Sequence, residues 1–152
     1  MKTQFADRGF TLADLLVAVA IVGILASVAY PSYASYVTRS RRAEGKLALL
    51  DILQQQERHY SQHNTYVAFS ADTDDTDPRR FKWWSGPTSQ GSAYELRGQA
   101  CEGSDIGECI EITALPGTER VDAQFRDSEC GTLRADSIGR RSASGSSTRC
   151  WP

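Results

Sequence analysis

The apolar residues of this chain are unevenly distributed. Residues 10–30 read FTLADLLVAVAIVGILASVAY, a hydrophobic run with one ionisable side chain in its apolar interior, Asp14. As a helix rising about 1.5 Å per residue, this run spans roughly 31 Å, the thickness of a bilayer hydrocarbon core. A helix apolar on every face needs lipid or a large core around it, and the rest of the chain is too polar to enclose it. After Pro31 the pattern changes. Tyr33, Tyr36, Val37, Ala43, Leu47, Leu50 and Leu53 recur mostly at spacings of three, four and six. Arg39, Arg41, Arg42, Glu44, Lys46, Asp51, Glu57 and Arg58 mark the opposite side. The helix thus becomes amphipathic, and it is expected to end near Ser61, before His63-Asn64-Thr65. Strand-favouring runs follow at 93–100, 109–115, 120–125 and 132–136, separated by turns containing Gly, Pro and Ser. Residues 70–91 read as a connecting loop, and 142–148 (SASGSST) as a flexible tract. The expected class is α+β: a long N-terminal helix, its first half transmembrane, its second half packed on a C-terminal antiparallel sheet.

Composition narrows this picture. With 152 residues there is room for one folded domain beyond the membrane segment. A charge of −2, from 17 Lys+Arg against 19 Asp+Glu, removes bulk electrostatics as a reason to bind nucleic acid. Cys101, Cys109, Cys130 and Cys150 all follow the hydrophobic helix, and an even number there fits an oxidising periplasm or cell exterior. Four cysteines permit three full pairings. Cys101 and Cys109 flank EGSDIGE, which could cap a hairpin and leave Cys130 to Cys150, but the sequence leaves the pairing open. No C-x-x-C is present and His59 and His63 lie far upstream, so no zinc site is expected.

Other candidate chemistry is sparse. Asp72 to Asp77 begins like a calcium loop, but Thr76 takes a ligand place, Asp77 stands where the turn needs Gly, and Trp83 replaces the bidentate Glu. His59 and His63 have metal-competent i, i+4 spacing, yet Tyr60 stands where H-E-x-x-H requires Glu, and they read as polar surface residues. A nucleophile elbow, a Walker loop and a dinucleotide fingerprint are absent. No catalysis, cofactor or metal is expected. The segment Arg79-Arg80-Phe81-Lys82-Trp83-Trp84 interleaves three cations with three aromatics, a composition suited to nucleic acid strands. Asp74, Asp75 and Asp77 immediately before it, and the acidic net charge, argue the other way: Phe81 and one Trp packed under the loop, with the cations solvated.

The N-terminus carries the sharpest signal. A nine-residue leader, MKTQFADRG, precedes the apolar run, whereas a secretory signal would be cut beyond it. Gly9 then Phe10, Thr-Leu, an acidic residue fifth after the junction, Gly23 within the helix and Pro31 near its end resemble the leader and N-terminal helix of type IV pilins. The likeness continues through SYVTRSRRAEGKLALLDILQQQERHYSQHNTY, which is similar to minor pilins of the PilE kind. Cys130-Gly131-Thr132-Leu133 with Cys150-Trp151 resembles the family's C-terminal disulfide loop. The resemblance covers residues 1–66 and 130–151.

The resemblance implies a non-enzymatic subunit of a type IV pilus, serving pilus assembly and thereby adhesion and twitching motility. It implies a leader at 1–9, an anchoring and assembly segment at 10–30, and an exported domain at 31–152. It also implies cleavage after Gly9 and N-methylation of Phe10 by a prepilin peptidase, a precursor in the inner membrane with its domain in the periplasm, and major and minor pilins as partners. Asp14, placed where the family normally has Glu, is implied to neutralise the N-terminal amine of a neighbouring subunit. A lone carboxylate in hydrocarbon costs about 2.5–3.5 kcal/mol, so a partner is expected, unless Asp14 snorkels to headgroups. Gly23 and Pro31 lower helix stability and would allow bending in a filament. Two alternatives share these features: a pseudopilin of type II secretion, which the paired C-terminal cysteines disfavour, and a pilus-displayed DNA-uptake receptor of the ComP kind, with Arg79, Arg80, Lys82, Trp83 and Trp84 as contacts.

Overall fold

The computed structural model describes residues 11–73 and 81–151. Gly9, Phe10, Arg79 and Arg80 lie outside the described residues, as does the side chain of Pro31. The chain forms two compact units, the first ending at Val37 and the second beginning at Thr38.

Helix α1 (Leu12–His63) supplies the first unit and opens the second. Thr11 caps it. Its hydroxyl accepts the Asp14 amide at 3.2 Å, and Asp14 Oδ2 accepts the Thr11 amide at 3.1 Å and hydroxyl at 2.7 Å. Two otherwise unpaired amides at the helix start are satisfied by this reciprocal T-x-x-D arrangement. Beyond the cap, Leu15, Leu16, Val19, Ile24 and Leu25 are 60–68% exposed. No described residue of this unit covers them, which suits a helix whose surroundings are lipid or other helices.

The second unit is a helix-on-sheet layer. Strands β1 (Tyr94–Ala100), β2 (Ile110–Pro116), β3 (Leu133–Asp136) and β4 (Arg141–Ala143) form an antiparallel sheet in sequence order. Register runs through Leu96↔Ala114, Ile112↔Ala135 and Leu133↔Ala143. Tyr94, Leu96, Ile110, Ile112, Ala114, Leu133 and Ala135 are all buried in the core with Leu49 and Ile52 of α1. Asn64, with φ of 53°, ends the helix and donates its amide to the Tyr60 carbonyl at 2.8 Å. Gln56, fully buried, then clamps the chain: its Nε2 donates to the Val67 carbonyl and its Oε1 accepts the Val67 amide. The connection goes on to pair with the outer edge of β1, through Phe69 opposite Gly98 and Trp84 opposite Glu95. That edge is therefore covered.

The expected strand at 120–125 is a correction. These residues form turns, with Val121 N bonded to Thr118 O and Phe125 N to Asp122 O. Val121 and Phe125 are buried, so the alternating apolar pattern is real, but it arises from side chains pointing into the core from turns rather than from a ladder. Conversely, β4 opens just before the tract read as flexible and takes in its first two residues; its three-residue length and polar composition hid it. Cys101 is joined to Cys109, with Cα atoms 5.4 Å apart, across the β1–β2 connection. Cys130 is joined to Cys150, at 5.5 Å, tying the chain before β3 to its end after β4.

Candidate functional site

The second unit brings three groupings of polar and aromatic side chains together. The first is buried and joins α1 to the disulfide-bonded region. Arg42, 5% exposed, donates from Nε to Asp127 Oδ2 and from Nη2 to Asp127 Oδ1, both at 2.7 Å, and reaches Glu129 at 2.9 Å. Asp127 also accepts the Tyr94 hydroxyl at 2.6 Å and the Cys130 amide at 3.0 Å. Hydrogen bonding to Asp127 raises the Arg42 pKa above its ordinary value despite burial. Burial pushes the Asp127 carboxyl up, but Arg42, Tyr94 and the Cys130 amide together outweigh it and hold the carboxyl below its usual range. Burial, then the bond to Asp127, push the Tyr94 phenol up. This fixed, saturated cluster has the character of a structural clamp.

The second grouping is a groove of about 420 Å³ between α1 and the sheet edge at β4, lined by Ala43, Lys46, Leu47, Leu50, Arg141, Arg149 and Trp151. Trp151 is anchored by donation from Nε1 to the Ser142 carbonyl at 2.7 Å. The Lys46 ammonium and the Arg141 guanidinium each lie 5.6 Å from the centre of a Trp151 ring. Burial and the neighbouring Arg42 charge lower the Lys46 pKa. Lys46, Arg141 and Arg149 form no ion pair among the described residues. Sequence reading missed this cluster because its members come from residues 46, 141, 149 and 151. The packing of α1 on the sheet, the Cys130–Cys150 bond and the Trp151–Ser142 hydrogen bond bring them together.

The third grouping lies on the other flank of Leu47, which is 70% exposed. It is a groove of about 310 Å³ bordered by Glu44, Asp51, Gln55, Lys82 and Trp84. Of the proposed DNA contacts, Trp83 and Trp84 are half-buried and meet edge to face at 5.0 Å. Lys82 donates its ammonium to the Gly86 carbonyl and lies 5.5 Å from the Trp84 ring centre. These three side chains are therefore engaged with one another and with the loop, beside two carboxylates.

Residues 5–30 match the prokaryotic N-terminal methylation motif. Residues 31–134 match the family described as type IV minor pilin ComP, DNA uptake sequence receptor. The chain belongs to the ComP family of type IV minor pilins. Among solved structures, this minor pilin is similar to a type IV pilin from Shewanella oneidensis (23% identity, TM-score 0.47, covering 76% of this chain and 98% of that one). It is also similar to the non-core minor pilin PilV of Neisseria meningitidis (20% identity, TM-score 0.48, covering 76% and 95%). No curated protein sequence matches it. A minor pilin assembles with other pilins into a filament, and the apolar first half of α1 is the segment suited both to a membrane and to a filament core.

Proposed function

We propose that this minor pilin is a non-enzymatic structural subunit, processed after Gly9 and N-methylated at Phe10 by a prepilin peptidase. It waits in the inner membrane with its second unit in the periplasm, then is drawn into a pilus serving adhesion and twitching motility. The observation that carries this reading is the exposed apolar surface of α1 from Leu12 to Tyr30, whose one charged side chain is Asp14. Moving such a helix from lipid to a bundle of helices costs little, because one apolar surrounding replaces another. Asp14 caps its own helix with Oδ2, and among the described residues Oδ1 accepts no hydrogen bond, so it remains available to a neighbour's Phe10 amine. Gly23 and Pro31 give the segment its capacity to bend. Processing is tested with Gly9→Val, which puts a branched side chain directly before the cut. Immunoblotting should reveal a band heavier by the nine-residue leader; normal mobility would overturn the processing site.

A second reading, DNA binding on the displayed unit, is supported by the family's description as a DNA uptake sequence receptor and by the cluster of Lys46, Arg141 and Arg149 around Trp151. Aromatic faces stack on bases and cations meet phosphates. This would move the contact from Arg79, Arg80, Lys82, Trp83 and Trp84 to the β4 groove. Electrophoretic shifts of the full chain in detergent, run over a salt series, test it. Binding should weaken with salt at about 0.9 log unit per phosphate contact, and Arg149→Ala should lower that slope by about one. No shift at low salt, or an unchanged slope, would remove this reading.

A further inference from the structure

The outward side of α1 in the second unit carries a pattern that its own sheet does not use. Ser40, Ala43, Leu47, Leu50 and Gln54 follow one another at alternating spacings of three and four. Leu49 and Ile52 of the same turns fill the core, whereas Ala43 is exposed, Leu47 is 70% exposed and Leu50 is half-buried. Residues at alternating three and four form the seam of paired helices, and the charges on either side of the seam set partner and direction. Here the two sides differ in sign. Glu44 and Asp51, seven residues apart, lie on one side; Arg39 and Lys46, also seven apart, lie on the other. The two grooves repeat that division. Glu44 and Asp51 border the one toward Trp84, while Lys46 lines the one toward Trp151 with Arg141 and Arg149. Asp51 accepts a hydrogen bond from Gln55 at 2.8 Å and Glu44 accepts one from the Ser85 hydroxyl at 3.4 Å, but neither carboxylate has an ion pair among the described residues.

We propose that the occupant of this face is a second copy of the same chain, bound in parallel about a two-fold axis running along α1. Leu47 then meets Leu47, and Lys46 of each copy reaches Asp51 of the other, five positions on. That is the offset between facing flanks of parallel paired helices, and Arg39 and Glu44 share it. A two-fold contact is self-complementary, so each pair forms twice. Antiparallel pairing would instead set Lys46 against Lys46 and carboxylate against carboxylate. Parallel is also the sense that one membrane imposes, since both copies enter it with the same orientation; in this the proposal rests on residues 10–30 being a membrane anchor. A seam of about one heptad is weak in free solution, and confinement to a membrane raises the effective concentration that populates it. The dimer is thus a state of the anchored subunit before assembly.

The test is oxidative cross-linking of the full chain in its own membranes, with copper phenanthroline as oxidant and non-reducing gels as readout. All four cysteines are paired, so Leu47→Cys supplies the single reactive thiol. It should give a dimer band that reductant abolishes, because the seam brings the two Cα atoms within the about 7 Å that a disulfide spans. Ile138→Cys, 62% exposed but off the seam, reports random collision and should stay monomeric. Added to Leu47→Cys, either Lys46→Asp or Asp51→Lys should reduce the band several-fold by placing like charges at both contacts. Coexpressing the two, one of them epitope-tagged, should restore a mixed dimer, since each contact again joins opposite charges. Misfolding of either variant would prevent that rescue, as would service of Lys46 to nucleic acid alone. Membrane-bound Leu47→Cys that stays monomeric, or a charge swap without rescue, would overturn the dimer and leave the anchor intact. Release of the chain from membranes by alkaline carbonate would overturn the anchor and the dimer with it.

Discussion

Arg42 shows how far a single residue can depart from its sequence reading. It sits in a run of arginines and falls on the polar side of the amphipathic pattern, yet it is buried against Asp127, 85 positions away in sequence. No local signal marks such a pair, because its spacing is set by the sheet that lies between. Removing one partner leaves the other charge buried and uncompensated, so Asp127→Asn should cost roughly 3–5 kcal/mol in denaturant unfolding. The pH dependence follows from the two shifted groups. Asp127 titrates lower in the folded chain than its unfolded value near 3.9, so its contribution is complete above about pH 5 and is lost as pH falls through the folded value. Tyr94 titrates higher than its unfolded value near 10, so its contribution is complete below that and is lost as pH rises beyond it. Stability should be level between about pH 5 and 9, and Asp127→Asn should flatten the acid limb. An acid limb unchanged in the variant would assign it to other carboxylates. The Thr11–Asp14 cap is a contrasting case: its T-x-x-D pattern is local, so the same carboxylate that is a lone charge in the apolar run also caps the helix.

Among the elements, α1, β1, β2 and β3 were legible from hydrophobic period and turn residues. The helix runs only two residues past its expected end. What was not legible were pieces whose conformation depends on neighbours. Residues 120–125 alternate like a strand, but Asp122 bonds through its amide to the Ser92 carbonyl, outside any ladder, and β4 is polar because it is a short edge. The contact that fixes helix on sheet is Gly45 against Tyr94. A Cβ at Gly45 would lie 2.6 Å from Tyr94 Cδ2 and 2.9 Å from Cε2. The ring cannot step aside, since its hydroxyl is bonded to Asp127 and Phe125 meets it edge to face at 5.4 Å. Gly45→Ala should gain about 1 kcal/mol in helix propensity and lose about 1–3 kcal/mol to overpacking. A lowered thermal midpoint is therefore expected for the second unit. Gly23→Ala is the control: nothing lies within 4 Å of its added methyl, so that midpoint should not move. A raised midpoint in Gly45→Ala would mean that Tyr94 yields.

At the scale of the whole molecule, the chain divides its work between a first unit that is apolar and exposed and a second unit that folds around its own core. The N-terminal pattern and the cysteines made this division legible, while the Trp151 groove depended on long-range proximity. The disulfide closing residues 130–150 contributes about 3 kcal/mol by loop entropy, which suits a sheet of only four short strands. The central claim is incorporation into a pilus through Asp14, and Asp14→Asn tests it most directly. Asparagine keeps an oxygen that can accept the Thr11 amide and so preserves the cap, while removing the charge that would meet a neighbour's amine. The measurement is the ratio of this protein in sheared pili to that in membranes, by quantitative immunoblot. Wild type should appear in the pili without its leader, and Asp14→Asn should fall several-fold there while remaining processed in the membrane. Wild type absent from sheared pili, or Asp14→Asn present at the wild-type ratio, would contradict the account.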